Sequence, residues 1–205
     1  MCYMATMNTH FRPPGLPMTT QAAEGLARRC WTVAEIEAMV AAGIIPEDER
    51  FELIDGEVVP MPPKCSRHEV IKGSLAKWWF QQLKPGVEFI PETTFRLDAS
   101  SFLEPDFVFF ASTTKLVDLS PRNALLAVEV SDSTLRYDSG RKAQLYAAHG
   151  VAVLWVINVE LLQTHVFSKP SEEGYMKRHV VEPNEVLAPD FAPYLVVKLV
   201  ELPLI

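Results

Sequence analysis

The stretch LLAVEVSDSTLRYDSGRKAQLYAAHGVAVLWVIN, residues 125–158, decides the fold. Its first seven residues are apolar on both faces except at Glu129, a pattern that is typical of a central strand. The residues from about Asp138 to His149 predict a helix, which Gly150 ends. The apolar run Val153–Asn158 then predicts a second buried strand. A strand, a helix and a further strand in this order indicate an α/β domain with a mixed sheet flanked by helices.

Two more helices and several shorter strands are predicted around this centre. Thr32 and Glu35 form a capping box, in which each side chain accepts from the other residue's backbone N–H, and Ser66 with Glu69 repeats the pattern. The Asp55-Gly56 pair inside FELIDGEVVPM is the strongest short-range signal for a tight hairpin. Further strands are predicted at residues 87–90, 93–97, 106–110, 161–167 and 175–180.

Chain length and composition predict one domain. The chain has 205 residues, 48% of them hydrophobic, which is enough for one sizeable core. We expect a flexible arm at residues 1–28, where Pro, Thr, Gly and Met occur without periodicity, and a single domain at residues 29–205. The formal charge of −7 argues against a protein that coats nucleic acid along its length. Any contact with phosphates is therefore expected to be local.

Cysteine usage and hydropathy predict a cytoplasmic protein. Cys2, Cys30 and Cys65 are odd in number and widely spaced, so they form neither a disulfide framework nor a CxxC zinc site. The first residues lack the basic-then-apolar order of a signal peptide, and no later apolar run is long enough to span a bilayer. We therefore expect reduced thiols, a cytoplasmic location and no contact with a membrane.

Two carboxylates lie where burial is costly. Glu129 interrupts an apolar strand, and an unpaired buried carboxylate either destabilises the fold or takes up a proton. Asp106 opens the apolar strand DFVFF directly after Pro105, a residue that is tolerated at the start of a strand. Carboxylates on neighbouring strand ends are suitable oxygen ligands for Mg²⁺ or Mn²⁺. The two acids therefore predict a site for a hard divalent cation, which would offset their repulsion.

Lys142 is the expected partner of this acidic site. A helix that begins near Asp138 places Lys142 in its first turn, on the same face as Tyr146. A lysine near a hydrolytic metal centre can orient the nucleophile or stabilise charge that develops on a phosphate. Asp106, Glu129 and Lys142 together therefore provide the groups that phosphodiester hydrolysis needs.

The order and spacing of four motifs carry a family resemblance. The motifs are ELIDGE, the helix that contains His68, PDFVFF, and EVSDSTLRYDSGRKAQLYAAHGVAVLWVIN. From about Trp31 to the C-terminus, the chain resembles the Uma-two family of predicted endonucleases, within the PD-(D/E)XK nuclease superfamily. The resemblance implies a restriction-endonuclease-like fold and a Mg²⁺-dependent endonuclease that acts on DNA.

The resemblance also implies roles for individual residues. In it, Asp106 and Glu129 hold the metal, and Glu52 is an additional N-terminal acid. Ser131 stands two residues after Glu129, where the superfamily most often has a lysine. The resemblance suggests that Lys142 replaces this lysine from the helix.

Each of these residues also has a purely structural interpretation. Asp106, Glu129 and Lys142 could form a buried polar cluster without a function, and Glu52 could face solvent beside the hairpin turn. His68 could simply begin a helix, or it could help to hold an anionic backbone near the helix N-terminus. The accessory candidates, expected to support or cap the site, are Ser131, Asp138 and Tyr146.

Two other functions fit the same residues. A non-catalytic nucleic-acid or protein-interaction module could keep the fold and lose cleavage, which agrees with the absence of a lysine at Ser131. A hydrolase of smaller phosphoesters would use the same site. Double-strand cleavage usually needs two active sites, so exposed apolar residues on the Trp78 helix predict a homodimer. The basic residues that could face phosphates include Lys64, Arg67, Lys72 and Lys77.

Overall fold

The computed structural model describes residues 29–203, so the arm predicted at residues 1–28 lies outside the described residues. The strands are β1 (Phe51–Ile54), β2 (Glu57–Pro60), β3 (Val87–Pro91), β4 (Phe95–Arg96), β5 (Phe102–Leu103), β6 (Phe107–Ala111), β7 (Ala124–Ser131), β8 (Val153–Asn158), β9 (Thr164–Ser171) and β10 (Gly174–Val181). The helices are α1 (Val33–Ala41), α2 (Ser66–Gln82), α3 (Leu135–Tyr137) and α4 (Ala143–Ala148). A π-helical turn spans Asp138–Lys142, and 3₁₀ turns span Leu116–Asp118 and Leu199–Glu201.

The larger of two sheets forms the centre of the fold. Its strand order is β10-β9-β8-β7-β6-β3, in which β7 and β8 are parallel and the other neighbours are antiparallel. Parallel neighbours need a crossover connection, and the helical segment from α3 to α4 supplies it. The predicted mixed α/β fold is confirmed. Its strands divide between two sheets because the β1–β2 hairpin pairs with β5 instead of joining the larger sheet.

Opposite faces of β7 pack against different helices. Val128 belongs to the core that contains Trp79 of α2, whereas Ala127 belongs to the core that contains Tyr146 of α4. Because side chains alternate along a strand, Glu129 points to the same side as Ala127. The carboxylate of Glu129 therefore lies between the larger sheet and α4.

The smaller sheet has the strand order β2-β1-β5-β4, and its side chains Phe51, Leu53 and Phe102 pack against α1. Asp55 and Gly56 connect β1 to β2 with φ angles of 51° and 77°, which confirms the predicted tight turn. A Cβ at Gly56 would lie 2.6 Å from the Cβ of Cys30, and L-residues rarely adopt this backbone conformation. Glycine is therefore required at this position of the hairpin.

The two predicted capping boxes had different outcomes. At α1 the box is confirmed, because the Thr32 side chain accepts from the Glu35 backbone N–H and Glu35 accepts from that of Thr32. At α2 the predicted box is wrong, because Cys65 is the N-cap and its Sγ accepts from the backbone N–H of His68 at 3.4 Å. The backbone is still extended at Cys65, so Ser66 is already the first helical residue.

The helical segment after β7 begins earlier than predicted. α3 starts at Leu135, and the π-helical turn then continues into α4 without a break. Two basic residues at the end of the turn reach the β1–β2 hairpin, since Arg141 lies 2.6 Å from Asp55 and Lys142 lies 2.8 Å from Glu52. π-helical turns inside α-helices occur frequently at functional sites. Here the turn links the larger sheet to the smaller one.

The predicted dimer face on α2 is partly covered. Trp79 is fully buried, and the Trp78 indole N–H donates to the backbone carbonyl of Val196 at 2.8 Å. Phe80 is the large apolar side chain of α2 that stays exposed. The homodimer therefore stays a prediction, with Phe80 as its remaining contact on this helix.

Two further properties concern the part of the chain that the structure describes. Cys30 and Cys65 are free thiols, and Cys2 lies outside that part. No helix within residues 29–203 is long and apolar enough to cross a membrane.

Candidate active site

The sheet register brings Asp106 and Glu129 together. β6 and β7 are antiparallel, with Phe107 opposite Val128. Asp106 directly precedes Phe107 of β6 and Glu129 directly follows Val128 of β7, so this register brings the two acids close together, and both line the same cavity. Both side chains are buried. The predicted pairing of these two acids is therefore present in the fold.

Asp106 is held by three donors. Its Oδ2 accepts from the backbone N–H of Val130 at 2.8 Å and lies 3.2 Å from Nε2 of His68, and its Oδ1 accepts from Nζ of Lys64 at 3.0 Å. Burial by itself raises the pKa of this carboxyl. The hydrogen bond from His68 and the charges of His68 and Lys64 outweigh burial and bring the pKa of Asp106 to about 2. Asp106 is therefore ionised at neutral pH.

The pKa of Glu129 is shifted in the opposite direction from that of Asp106. Burial raises its pKa well above the usual range, and the charges of Asp138, Asp106 and Glu52 act in the same direction. The Tyr146 hydroxyl donates to its Oε1 at 2.7 Å, and Lys142 donates to the same oxygen at 3.3 Å. A nearby cation would favour the ionised form of this carboxyl.

Lys142 lies among three buried carboxylates. Its Nζ is 2.8 Å from Glu52, 3.3 Å from Glu129 and 3.5 Å from Asp138. Burial alone would lower its pKa, but the charges of Glu129 and Glu52 hold the pKa of Lys142 well above its usual range. The ammonium group is therefore charged and fixed in position. The sequence left open whether Glu52 faces solvent. In the structure its side chain is buried and points to this lysine.

Ser131 supports the site through another residue. Its hydroxyl donates to Oδ2 of Asp138 at 2.7 Å, and the Thr134 hydroxyl donates to the same oxygen at 2.6 Å. Both bonds orient Asp138, which lies next to Lys142. Ser131 is therefore connected to Lys142 through Asp138.

One cavity of about 290 Å³ lies between these elements, and Asp106, Glu129 and Lys142 line it. Among the described residues that line it are six acids, namely Glu52, Glu104, Asp106, Glu129, Asp132 and Asp138. The cations that line it are Lys64 and Lys142. An excess of carboxylates repels a phosphodiester unless a further cation neutralises part of their charge.

The donor chemistry of the cavity fits a hard divalent cation. Within residues 29–203, no group of three or more His, Cys, Asp or Glu side chains is placed to hold a metal ion by itself. Mg²⁺ does not require such a group, because it commonly keeps several waters and uses one or two carboxylates together with substrate phosphates. Asp106 and Glu129 offer that pair of carboxylates.

Comparison with known proteins assigns the family. The family model described as "Uma2: Putative restriction endonuclease" matches residues 33–199. The chain belongs to the Uma2 family. This confirms the resemblance that the four sequence motifs carried. No curated protein matches the chain.

A solved structure supports the fold of this Uma2 protein. It is a crystal structure described as "a putative nuclease belonging to DUF820" from Anabaena variabilis ATCC 29413, and it superimposes with a TM-score of 0.62. The alignment covers 78% of this chain and 94% of the other, at 18% sequence identity. The likeness shows a restriction-endonuclease-like fold. Family and fold together support a nuclease.

At or beside the cavity of this Uma2 protein lie residues that sequence reasoning missed or placed elsewhere. Lys64 was a candidate for a phosphate-facing strip, yet it contacts Asp106, 42 positions away in sequence. Glu92 had no predicted role, although it accepts from Lys64 at 2.6 Å. His68, predicted as an accessory residue, contacts Asp106 directly. Lys64 lies just before the helix that contains His68, and this position could have marked it as a site residue. No local pattern, however, indicates that its side chain reaches Asp106.

Proposed function

We propose that this Uma2 protein is a Mg²⁺- or Mn²⁺-dependent endonuclease that hydrolyses phosphodiester bonds in DNA. One observation carries the proposal, namely that Asp106, Glu129 and Lys142 line a single cavity. Two adjacent carboxylates and a lysine are the groups that metal-assisted phosphodiester hydrolysis uses. The Uma2 description and the restriction-endonuclease-like fold support the same reaction class.

Asp106 and Glu129 would hold the cation in this proposal. When bound, a divalent cation supplies Lewis-acid polarisation of the phosphate and lowers the pKa of water. The Val130 N–H and His68 fix the orientation of Asp106, and the Tyr146 hydroxyl fixes that of Glu129. Such hydrogen bonds keep ligating oxygens in position without further reorganisation.

Lys142 would stabilise negative charge on the phosphate that is attacked. Its ammonium group lines the cavity and stays charged, so it needs no proton transfer before it acts. Glu52 acts through Lys142 as a positioning residue, because it lies 2.8 Å from Nζ and also accepts from the backbone N–H of Glu104 at 3.1 Å. The rigid β1 strand therefore determines where the lysine charge lies.

Metal titration followed by plasmid nicking tests the proposal. Calorimetric titration of Mn²⁺ into the parent should show binding, and Glu129→Gln and Asp106→Asn should abolish both binding and nicking. Glu201→Gln serves as the control, since Glu201 is an exposed acid paired only with Lys198 among the contacts described for it. Nicking that persists in Asp106→Asn, or parent protein that neither binds Mn²⁺ nor cleaves any DNA or RNA, would refute the proposal.

A non-catalytic interaction module is the second candidate. Lys64 already donates to Asp106, and Ser131 stands where the superfamily most often has a lysine. The Lys64 ammonium group can balance the charge of the buried Asp106 carboxylate in a protein that binds no metal ion. If the protein binds DNA without cleaving it, and Lys142→Met binds DNA as well as the parent, this candidate is favoured.

Two other predictions have their own tests. Cleavage of small phosphoesters but not of plasmid DNA would indicate a hydrolase of smaller substrates. Light scattering of the parent would test the predicted homodimer.

A further inference from the structure

The carboxylate of Glu92 lies at a meeting point of three basic side chains. Its Oε1 accepts from Nζ of Lys64 at 2.6 Å and from Nζ of Lys72 at 2.9 Å, and Arg50 lies 4.0 Å away. The three bases come from separate parts of the chain, namely the segment before β1, the turn before α2, and α2 itself. They therefore form a basic cradle, defined here as Arg50, Lys64 and Lys72, around one anionic group.

Glu92 is more exposed than either lysine of this arrangement. The Glu92 side chain is 44% exposed, whereas those of Lys64 and Lys72 are 13% and 11% exposed. Each lysine also has a second acidic partner, because Lys64 contacts Asp106 and Lys72 contacts Glu69. Glu92 can thus leave towards solvent while both lysines stay in place.

The backbone at Glu92 has an unusual conformation. Its φ of 49° lies in the left-handed region, which residues with a side chain rarely adopt without strain. The same residue donates its backbone N–H to the carbonyl of Asp106 at 3.2 Å. Strained residues of this kind cluster at ligand-binding sites. Glu92 is therefore held directly beside the candidate active site.

We propose that the basic cradle is a subsite for a backbone phosphate of the nucleic-acid strand, and that Glu92 occupies it as an internal competitor until the strand binds. A phosphodiester carries one negative charge and two non-bridging oxygens, which two ammonium groups can share. Lys64 contacts both Asp106 and Glu92, so a phosphate in the cradle lies next to the cavity. The assignment of the bound anion as a nucleic-acid phosphate rests on the proposed nuclease function. The replacement of Glu92 by an anion in the cradle does not depend on that function.

Binding of a labelled oligonucleotide without metal tests this inference. Fluorescence anisotropy in EDTA, on single-stranded and double-stranded DNA, measures affinity without cleavage. Glu92→Gln keeps the side-chain shape and removes the competing charge, so it should tighten binding about 3- to 10-fold, as expected for the loss of two partly exposed ion pairs. Its salt dependence should steepen by about 0.7 to 0.9 in log–log slope, equivalent to one more phosphate contact.

Glu201→Gln is the matched control, because it makes the same charge change beside the exposed Lys198. It should leave affinity within about twofold of the parent, as expected for an exposed ion pair. Lys72→Gln should weaken binding, and the gain from Glu92→Gln should disappear when Lys64 and Lys72 are also changed to Gln. This last comparison separates the cradle from a general effect of net charge.

The outcomes distinguish the two proposals. Equal affinity of Glu92→Gln and the parent would overturn the inference, and a lower melting temperature of this variant would then show that Glu92 only holds the turn before α2 in place. Tighter binding in a protein that never cleaves DNA would refute the nuclease function and leave the cradle intact. Tighter binding of an acidic peptide but not of DNA would overturn the assignment to a nucleic-acid phosphate.

Discussion

Replacement of Lys142 by methionine removes the one ammonium group that lies among Glu52, Glu129 and Asp138 in the described structure. Methionine has a similar length and no charge, so the variant alters electrostatics more than volume. Three buried carboxylates then share a small space without a positive charge between them. We expect Lys142→Met to be folded but strongly destabilised.

The size of the effect follows from the burial of the group. Removal of one partner from a buried ion pair costs about 3–5 kcal/mol. In a domain of this size, each kcal/mol shifts the melting temperature by about 2–4 °C, which gives a loss of about 6–20 °C. Lys142 lowers the pKa of Glu129, which burial raises, so without the lysine the folded pKa of Glu129 should rise further above its unfolded value and the folded state should bind an extra proton. Stability then falls as pH rises, by about 1.4 kcal/mol per pH unit for each extra proton bound.

Urea denaturation at pH 5 and pH 8 measures both features. The deficit of Lys142→Met relative to the parent should be larger at pH 8 than at pH 5. Lys198→Met is the control, because Lys198 is an exposed lysine with a single described acidic partner, and its stability should stay within about 1 kcal/mol of the parent at both pH values. A deficit below about 1 kcal/mol, or one that does not change between the two pH values, would refute the electrostatic reasoning.

Two further perturbations test other contacts of the fold. Tyr146→Phe removes the hydroxyl that donates to Glu129 at 2.7 Å and should cost about 1–3 kcal/mol in urea denaturation; an unchanged midpoint would contradict this bond. Asp98→Asn tests the pair with His149 at 3.1 Å, in which the hydrogen bond to Asp98 raises the pKa of His149 and the pKa of Asp98 is about 2. The His149 contribution is complete below the unfolded pKa of about 6.5 and is lost as pH rises through the raised folded value. The Asp98 contribution is complete above about pH 3.9 and is lost as pH falls through about 2, so the stability difference between parent and variant should be greatest between about pH 4 and 6.5. It should stay below about 1 kcal/mol, since the pair is partly exposed; thermal denaturation across pH measures it, and a difference that grows towards pH 9 would contradict the assignment.

Local patterns predicted those parts of the fold that depend on neighbours in sequence. The Asp55-Gly56 turn and the Thr32 cap are determined by backbone conformation and short-range hydrogen bonds, and both are present. The cap of α2 was misplaced by one residue because a cysteine Sγ is a weak acceptor that capping statistics disfavour, yet Cys65 fills this role. The start of the helix after β7 was misplaced because no local rule indicates a π-helical turn.

The sequence by itself determined which strand is central and which acid interrupts it, because the residues of β7 are apolar on both faces except at Glu129, as in a strand that is buried on both sides. It also indicated that Asp106, Glu129 and Lys142 belong to one site, through the order and spacing of the family motifs. Only the tertiary structure decided that Lys64 and His68 contact Asp106, and that Glu92 lies between two lysines. These contacts join residues 20 to 42 positions apart, and they depend on strand register and on the paths of connecting turns, which no local periodicity encodes.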